Sequence, residues 1–276
     1  MTVSNARPER LRAGLLDGKR ILVTGVLTPK SIAYGIAASA QTAGAEVVLT
    51  SFGRAMSLTE RSARRLGPVP DVLEMDVTRT DQVKEVAERV RSAWGRLDAV
   101  VHAIGFAPED CLGGGFLDAP WTSVSTAFEI SSYSLRTLAA EFVPLMPETG
   151  GSIVTLTFDA RYAWPLYDWM GPAKAALEAI VRYLARDLGR RGVRVNAVAA
   201  GPLETIAAKS IPGFGGLKEL WGRQAPLGWD SADAGPVADA CVFLMSDMAR
   251  GITGEMLHVD GGYHSQGAPL MDDGYR

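Results

Sequence analysis

Apolar runs alternate with amphipathic segments along almost the entire chain. Several runs are continuously apolar, which is typical of parallel strands that helices cover on both faces. They predict strands at 20–24, 46–50, 72–75, 99–102, 152–156, 194–198 and 256–259. Between Thr80 and Trp94, apolar residues recur at steps of three and four, as on one face of a helix. Further helices are predicted at 31–43, 124–145, 173–188 and 237–246.

This alternation predicts an α/β fold, a Rossmann-like doubly wound parallel sheet in a single domain. At 276 residues the chain has the size of one such domain. We expect the domain to span 14–265, between a flexible N-terminal arm (1–13) and a C-terminal tail (266–276), because both ends are polar and weakly patterned. Residues 202–228 contain five Gly and three Pro, which predicts an irregular flap rather than core.

Charge and cysteine content exclude several classes of function. The net charge is −3, with 28 basic and 31 acidic residues, so no overall positive field attracts a phosphate backbone and nucleic acid is not an expected partner. The two cysteines, Cys111 and Cys241, cannot form a disulfide framework and suit a reducing compartment. No window reaches the ~20 apolar residues of a membrane span. These features predict a cytoplasmic protein without a membrane partner.

The turn after the first strand is a candidate dinucleotide site. It begins at Gly25, and the next helix is predicted from Ser31. In doubly wound folds, this turn brings backbone N–H groups and a helix N-terminus to a pyrophosphate. The usual G-x-G-x-x-G motif is absent, because only Gly25 and Gly35 are present. An ordinary tight turn with Ser31 as helix N-cap therefore stays an alternative.

Residues at three later strand ends extend this candidate site. Phe52 could stack on an adenine, while Arg54 could pair with a 2′-phosphate or lie in solvent, so the residues leave NADH and NADPH open. Asp76 is a candidate acceptor for the adenine amine or a helix cap. Gly105 permits close backbone approach to a ligand. All four residues follow predicted strands, and open α/β sheets bind ligands at the carboxyl ends of their strands.

Tyr167 and Lys174 are the candidate catalytic pair. They follow the fifth strand seven residues apart, which is nearly two helical turns, so a helix would place them on one face. Hydride delivery to a conjugated enone places negative charge on the far oxygen, which needs a preplaced hydrogen-bond donor. The Tyr167 hydroxyl supplies one, and we expect it to act mainly as a neutral donor. A Tyr and a Lys two turns apart on a helix surface also occur by chance.

Other catalytic chemistries have weaker support in the sequence. None of the three histidines is spaced with Cys or a carboxylate in a ligand pattern, so no metal is expected and they are interpreted as structural or surface residues: His102, His258 and His264. No G-x-S-x-G elbow is present, which argues against a Ser/His/Asp hydrolase.

Motifs between about Leu16 and His264 resemble the enoyl-acyl-carrier-protein reductases, a branch of the short-chain dehydrogenase/reductases, most of all the actinobacterial and mycobacterial form. The motifs are GLLDGKRILVTG, SIAYGIA, LEMDV, VVHAIGF, GGSIVTLTFDAR, YDWMGPAKAALE, RVNAVAAGPLETIA, APLGWD and ITGEMLHVDGG. The depleted glycine loop and the wide Tyr-to-Lys spacing separate this family from its ketone-reducing relatives.

The resemblance implies NADH-dependent reduction of a trans-2-enoyl thioester, carried on acyl carrier protein or coenzyme A, in fatty acid biosynthesis, by a homotetramer. It implies catalytic roles for Tyr167, Lys174 and Phe158. The implied cofactor-binding residues are Gly25, Ser31, Ile32, Phe52, Asp76, Val77, Ile104, Gly105, Lys174, Leu203 and Thr205. The implied substrate-binding residues are Tyr167, Met170, Phe106 and Ala207.

Three departures from the family pattern bear on specificity. Ala103 stands where a Ser is common beside the cofactor, and Thr157 stands where the mycobacterial form has Asp. The flap is shorter than the mycobacterial one, and we therefore expect a preference for medium rather than very long acyl chains. Two other functions stay open: a reductase of another conjugated carbonyl in secondary metabolism, and a non-catalytic NAD-binding sensor. Intact Tyr167 and Lys174 argue against the sensor.

Overall fold

One parallel sheet organises the part of the chain that the structure describes. A computed structural model describes residues 14–209 and 211–268. Within them the strands are β1 (Arg20–Val23), β2 (Glu46–Ser51), β3 (Val72–Glu74), β4 (Ala99–His102), β5 (Gly151–Thr157), β6 (Val193–Ala200) and β7 (Met256–Val259). They pair in the order β3-β2-β1-β4-β5-β6-β7, and all neighbours are parallel. The order reverses between β1 and β4, where doubly wound sheets bind ligands.

Helices cover both faces of this sheet. They are α1 (Ile32–Thr42), α2 (Met56–Ala63), α3 (Thr80–Trp94), α4 (Trp121–Phe128), α5 (Ser134–Phe142), α6 (Met170–Leu188), α7 (Ile206–Lys209), α8 (Phe214–Gln224) and α9 (Gly235–Met245). One apolar core lies between the sheet, α1 and α9, and a second lies between the sheet, α3, α5 and α6. The predicted α/β class and doubly wound parallel sheet are confirmed. The predicted arm, and the predicted tail from residue 269, lie outside the described residues.

Helix α2 is absent from the sequence prediction because its buried face is polar. Thr59 and Ser62 are buried, and they replace the apolar stripe that marks other helices. The Thr59 Oγ1 atom donates to the carbonyl of Val26 at 2.5 Å, and the Ser62 Oγ atom donates to the carbonyl of Leu27 at 3.0 Å. Helix α2 therefore fixes the turn that follows β1.

The helix predicted at 124–145 begins earlier, at Trp121, and is interrupted. A π-helical turn, Glu129–Tyr133, separates α4 from α5. Its Ser131 hydroxyl accepts from the backbone N–H of Phe106 at 2.9 Å and donates to the carbonyl of the same residue at 2.7 Å. Its Ser132 hydroxyl donates to the carbonyl of Ala173 at 2.6 Å. The π turn thus joins the segment after β4 to the start of α6, as such turns often do at functional sites.

The prediction of an irregular flap at 202–228 is wrong for much of that segment. Helices α7 and α8 lie within it, and Leu217, Trp221 and Ala225 are buried. Gly213 begins α8 with φ +74°, where a Cβ would lie 2.7 Å from the Leu166 side chain. Gly213 therefore permits close packing against Leu166, and buried Trp221 anchors the segment.

No helix in the described ranges has the length and apolar character that a bilayer crossing requires.

Gly25 should tolerate no side chain. Its φ is +83°, and a Cβ would lie 2.0 Å from the carbonyl oxygen of Ala103. We expect Gly25→Ala to lower the free energy of unfolding by more than about 3 kcal/mol, because the backbone of β1 or β4 must move. Gly18 is the matched control: its φ is +69° with no atom near the added Cβ, so Gly18→Ala should cost only the left-handed backbone term of about 1–2 kcal/mol. Denaturant unfolding measures both variants, and equal losses in their free energy of unfolding would contradict this prediction.

Candidate active site

The turn after β1 presents the N-terminus of α1 at the edge of the sheet where the order reverses. Ser31 occupies the N-cap position but makes no side-chain bond to the helix. Instead its hydroxyl accepts from the backbone N–H groups of Leu27 and Thr28, both at 3.1 Å. Ser31 is therefore the N-cap residue by position, as the alternative expected, but its hydroxyl orders the preceding turn instead of capping the helix. Ile32, the first helical residue, is half-buried. A helix N-terminus without a side-chain cap suits a phosphate group.

The ends of β2 and β3 flank this turn. Phe52 is 51% exposed, and Arg54 beside it is exposed. The Oδ1 atom of Asp76 accepts from the backbone N–H and the hydroxyl of Thr78, at 2.9 and 2.8 Å. Asp76 therefore closes its own turn rather than capping α3, whose N-cap is Arg79.

Four further residues of the predicted cofactor site lie after β3, β4 and β6. Val77 and Leu203 are buried, and Ile104 is half-buried. Thr205 accepts the backbone N–H of Ala208 at 3.0 Å and so begins α7.

Tyr167 lies in a turn before α6, so the shared helix face predicted for Tyr167 and Lys174 is wrong. Helix α6 begins at Met170, and its first turn accommodates Pro172. The neighbours of Tyr167 have left-handed backbones, with φ of 61° at Leu166 and 36° at Asp168. Such conformations are costly for residues other than glycine and cluster at functional sites.

The segment at 111–116 holds this strained turn, a role that the sequence analysis missed. The carbonyl of Leu166 accepts from the backbone N–H of Gly113 at 3.0 Å, and the carboxylate of Asp168 accepts from Gly114 at 2.5 Å. The Trp169 indole stacks on Phe116 with ring centroids 4.5 Å apart and donates to its carbonyl at 2.8 Å. These glycines carry no recognisable motif, so only the fold reveals the contact.

The Tyr167 hydroxyl is positioned to serve a ligand. The side chain is 7% exposed, and among the described residues no group forms a hydrogen bond with its hydroxyl. Burial, and then the nearby carboxylate of Glu178, raise the pKa of Tyr167 well above its ordinary value. The phenol is therefore protonated at neutral pH, which supports a neutral donor.

Lys174 lies at the carboxyl end of β5, in the first turns of α6. Its ammonium group is buried and donates to the carbonyl of Leu156 at 3.0 Å. A Cβ on Gly105 would lie 3.5 Å from the Lys174 Nζ atom, so the ammonium lies near the segment that follows β4. Burial lowers the pKa of Lys174 to about 8, and Glu178 opposes that shift. An ammonium has three N–H donors, so two remain for a ligand such as a ribose diol.

Glu178 was not predicted, yet it connects this site to the end of β5. Its Oε1 atom accepts from the hydroxyl of Thr157 at 2.9 Å and from the backbone N–H of Ala160 at 3.1 Å. Both bonds fix the segment that carries Phe158. Thr157, noted above as a departure from the mycobacterial pattern, thus donates to a carboxylate, which an Asp in the same place would repel.

Phe158 is half-buried among aromatic rings. Its ring meets Tyr167 edge-on with centroids 5.4 Å apart, and lies 4.8 Å from Trp164 and 5.7 Å from Trp221.

The predicted substrate residues differ in their burial. Met170 is buried in the same apolar cluster as Tyr167, whereas Phe106 is 50% exposed and Ala207 is exposed on α7. The structure therefore brings Tyr167, Phe158 and Met170 into one apolar cluster, which also contains Ala173, the residue before Lys174. Phe106 and Ala207 are exposed.

His102 is a structural histidine at the end of β4. It is fully buried between the hydroxyls of Thr155 and Ser134, at 2.7 and 2.8 Å. Burial, reinforced by Lys174, lowers the pKa of His102 to about 3.

His102 should make the protein sensitive to acid. Because the unfolded chain binds a proton near pH 6.5 and the folded chain only near 3, stability is lost as the pH falls through this window, at about 1.4 kcal/mol per pH unit. Chemical unfolding between pH 7 and 4 should show a smaller loss for His102→Gln than for the wild type. If the free energy of unfolding of the two proteins depended on pH in the same way, this prediction would be wrong.

His258 and His264 form a polar cluster with two carboxylates. The His258 Nε2 atom lies 2.9 Å from Asp159, and the His264 Nδ1 atom lies 3.0 Å from Asp260. The two imidazoles stack with centroids 3.9 Å apart. Arg161 also binds Asp159, at 2.6 Å, and these partners lower the pKa of Asp159 to about 2 despite its burial. This cluster ties the segment after β5 to the end of β7.

Comparisons with known proteins agree with this geometry. A family model described as Enoyl-(Acyl carrier protein) reductase matches residues 25–264. The chain belongs to this family. A relative from Mycolicibacterium smegmatis, named an enoyl-acyl-carrier-protein reductase (NADH), is 44% identical over 92% of this chain and 98% of its own. Relatives with the same enzyme name from Aquifex aeolicus and Bacillus cereus are 43% and 41% identical, each over 92% of this chain and 94% and 99% of their own.

The range that the family model matches contains all the residues of the candidate site. The matched range begins at Gly25 and ends at His264, so it contains the turn after β1, the Tyr167 turn and Lys174. The family resemblance identified in the sequence is confirmed.

Proposed function

We propose that the protein reduces the C2–C3 double bond of a trans-2-enoyl thioester with NADH, in fatty acid biosynthesis. The observation that carries this proposal is a buried phenol whose hydroxyl has no hydrogen-bond partner among the described residues, in a turn that leads into the helix of the buried Lys174. The Lys174 ammonium reaches the carboxyl end of β5, and the carboxylate of Glu178 acts on the pKa of both side chains. The relatives named as NADH-dependent enoyl reductases support the same reaction.

The features of the cofactor site suit a dinucleotide. The N-terminus of α1 has no side-chain cap, Phe52 offers an exposed ring, and Lys174 has donors to spare. NADH, when bound, supplies the hydride that adds to the β carbon. The residues proposed to hold it are Gly25, Ser31, Ile32, Phe52, Asp76, Val77, Ile104, Gly105, Lys174, Leu203 and Thr205. The relatives are named as NADH enzymes, so the proposed cofactor is NADH rather than NADPH, and the exposed Arg54 is assigned no role.

The protein contributes to the reaction by stabilising charge. As hydride adds to the β carbon, negative charge develops on the thioester oxygen, and the Tyr167 hydroxyl donates a hydrogen bond to it. A proton from solvent then adds to C2 of this enolate and gives the saturated thioester. Because burial keeps the phenol protonated, the donor is available over the whole neutral range. Lys174 binds the ribose and orients the cofactor, while Phe158 and Met170 pack beside the reacting group and exclude water.

The test of this function is the loss of NADH absorbance with trans-2-butenoyl thioesters of acyl carrier protein and of coenzyme A. Oxidation that depends on the thioester supports the enoyl reductase. No oxidation above background, together with tight NADH binding, would support the NAD-binding sensor instead. Reduction of other conjugated carbonyls, with no activity on thioesters, would favour the secondary-metabolism reductase.

The proposal includes a cytoplasmic homotetramer. Large apolar side chains on the helical surface support self-association: Trp121, Tyr133 and Tyr183 are 74%, 53% and 66% exposed. The unpaired, buried thiols of Cys111 and Cys241 support a reducing compartment. Sedimentation equilibrium of the wild type against Tyr183→Ser measures the assembly, and a monomeric wild type would contradict the tetramer.

A further inference from the structure

A cavity of about 400 Å³ lies behind the aromatic group at the carboxyl ends of β6 and β7. We call it the outer cavity, and its size is within the range of small-molecule pockets. Its aromatic lining comprises Phe158, Tyr162, Trp164, Trp221 and Tyr263, and Ala199 and Ala200 form its floor. Tyr167 and the proposed substrate residues do not line it.

Phe158 and Trp164 separate the outer cavity from the Tyr167 site, and we call this pair the aromatic partition. On one side they pack against the apolar cluster of Tyr167 and Met170. On the other side they pack against the cluster of Trp221, whose ring stacks on Tyr263 at 3.7 Å between centroids. In the described part of the chain no other residue packs against both clusters.

The partition is fixed in place by hydrogen bonds. The Trp164 indole N–H donates to the carbonyl of Asp159 at 2.6 Å, and the Asp159 carboxylate binds Arg161 and His258. The carbonyl of Trp164 accepts from the backbone N–H of Tyr167 at 3.3 Å. The indole is thus held beside the turn that presents the catalytic hydroxyl.

We propose that Trp164 determines acyl-chain length, because its indole closes the Tyr167 site against the outer cavity. This inference rests on the proposed function and gives the predicted medium-chain preference a structural cause. An acyl chain that runs from the thioester past Phe158 meets the indole. A longer chain would need the space beyond it, where the aromatic and alanine surface suits methylene groups and the carboxylates are already paired with Arg161, His258 and His264.

The test compares kcat/KM for trans-2-enoyl coenzyme A thioesters of four, eight and sixteen carbons. We expect the wild type to prefer C8 over C16. Trp164→Ala should raise the C16-to-C8 ratio by about tenfold or more, since each methylene accommodated in an apolar pocket contributes to discrimination. Trp164→Leu should give a smaller rise. Both variants should keep the wild-type kcat/KM for C4 within about threefold, because a C4 chain does not extend past Phe158 to the Trp164 indole.

Two controls separate this effect from general damage. Trp164→Phe keeps a ring in the partition but loses the bond to the Asp159 carbonyl, and Val69→Ala shortens an exposed apolar side chain that belongs to neither cluster. Both should keep the wild-type C16-to-C8 ratio. An unchanged ratio in Trp164→Ala and Trp164→Leu, with C4 activity retained, would overturn the proposal, as would a C16 preference in the wild type.

A binding measurement distinguishes failure of this inference from failure of the proposed function. If the wild type reduces no enoyl thioester, the proposed function fails. Titration calorimetry with saturated C8 and C16 coenzyme A thioesters then tests the partition alone. A tighter relative affinity of Trp164→Ala or Trp164→Leu for C16 supports it, and unchanged relative affinities overturn it.

Discussion

Replacing Tyr167 with phenylalanine is expected to lower kcat by about 10²–10³-fold, the usual cost of removing one preplaced donor to a developing oxyanion. The ring can keep its edge-on packing against Phe158, since the substitution removes only an oxygen that forms no hydrogen bond with a described residue. NADH affinity and unfolding temperature should therefore change little. Because the lost bond forms in the transition state, kcat and kcat/KM should fall together.

The matched control for this substitution is Tyr183→Phe, which removes a hydroxyl from α6, the helix that follows the Tyr167 turn. It should keep the wild-type kcat. A Tyr167→Phe enzyme with wild-type turnover would show that another group stabilises the oxyanion.

Replacing Lys174 with glutamine is expected to weaken NADH binding by about 10–100-fold, since a hydrogen bond to a charged group contributes about 1.5–3 kcal/mol. Fluorescence titration measures this loss. Lys84→Gln, a substitution of an exposed lysine on α3, is the control and should leave NADH affinity unchanged. Equal affinities for the two variants would contradict the ribose-binding role.

The same lysine should make cofactor binding depend on pH. Its pKa in the free protein is about 8, because burial disfavours the ammonium. As the pH rises through 8, the group loses its charge and a donor, so NADH affinity should decline between pH 7 and 9. Lys174→Gln should show no decline in that interval. A wild-type affinity that is constant over the interval would contradict the assignment of Lys174.

The strands of the sheet were predicted well because each is recognisable from its own apolar residues. Continuous apolar runs such as those of β4 and β5 have few alternative placements. Once the strands are parallel, their carboxyl ends share one edge, so Gly25, Asp76 and Gly105 meet there by topology. The position of Lys174 could be predicted from the start of α6 alone, which Pro172 marks.

The position of Tyr167 could not be derived from spacing. Its turn depends on left-handed backbones at Leu166 and Asp168, which no propensity indicates, and on bonds from Gly113 and Gly114 that are distant in sequence. Helix periodicity therefore gave Tyr167 a place on α6 that it does not have, since the helix begins at Met170.

Buried polar residues concealed other parts of the site. Helix α2 gives no apolar period because Thr59 and Ser62 point inward to carbonyl groups of the turn after β1. His258 and His264 are six residues apart, and their stacking arises only because the chain turns back at Asp260.

The central claim is that this site delivers hydride to the β carbon of an enoyl thioester, with Tyr167 as oxyanion donor. It is tested most directly by incubating the wild type with trans-2-butenoyl coenzyme A and NADH that carries deuterium at both C4 positions, followed by mass spectrometry and NMR of the product. The account predicts a saturated butanoyl thioester with one deuterium at C3. Deuterium at C1, as in an aldehyde or alcohol, or an unchanged thioester with all of the NADH retained, would contradict it.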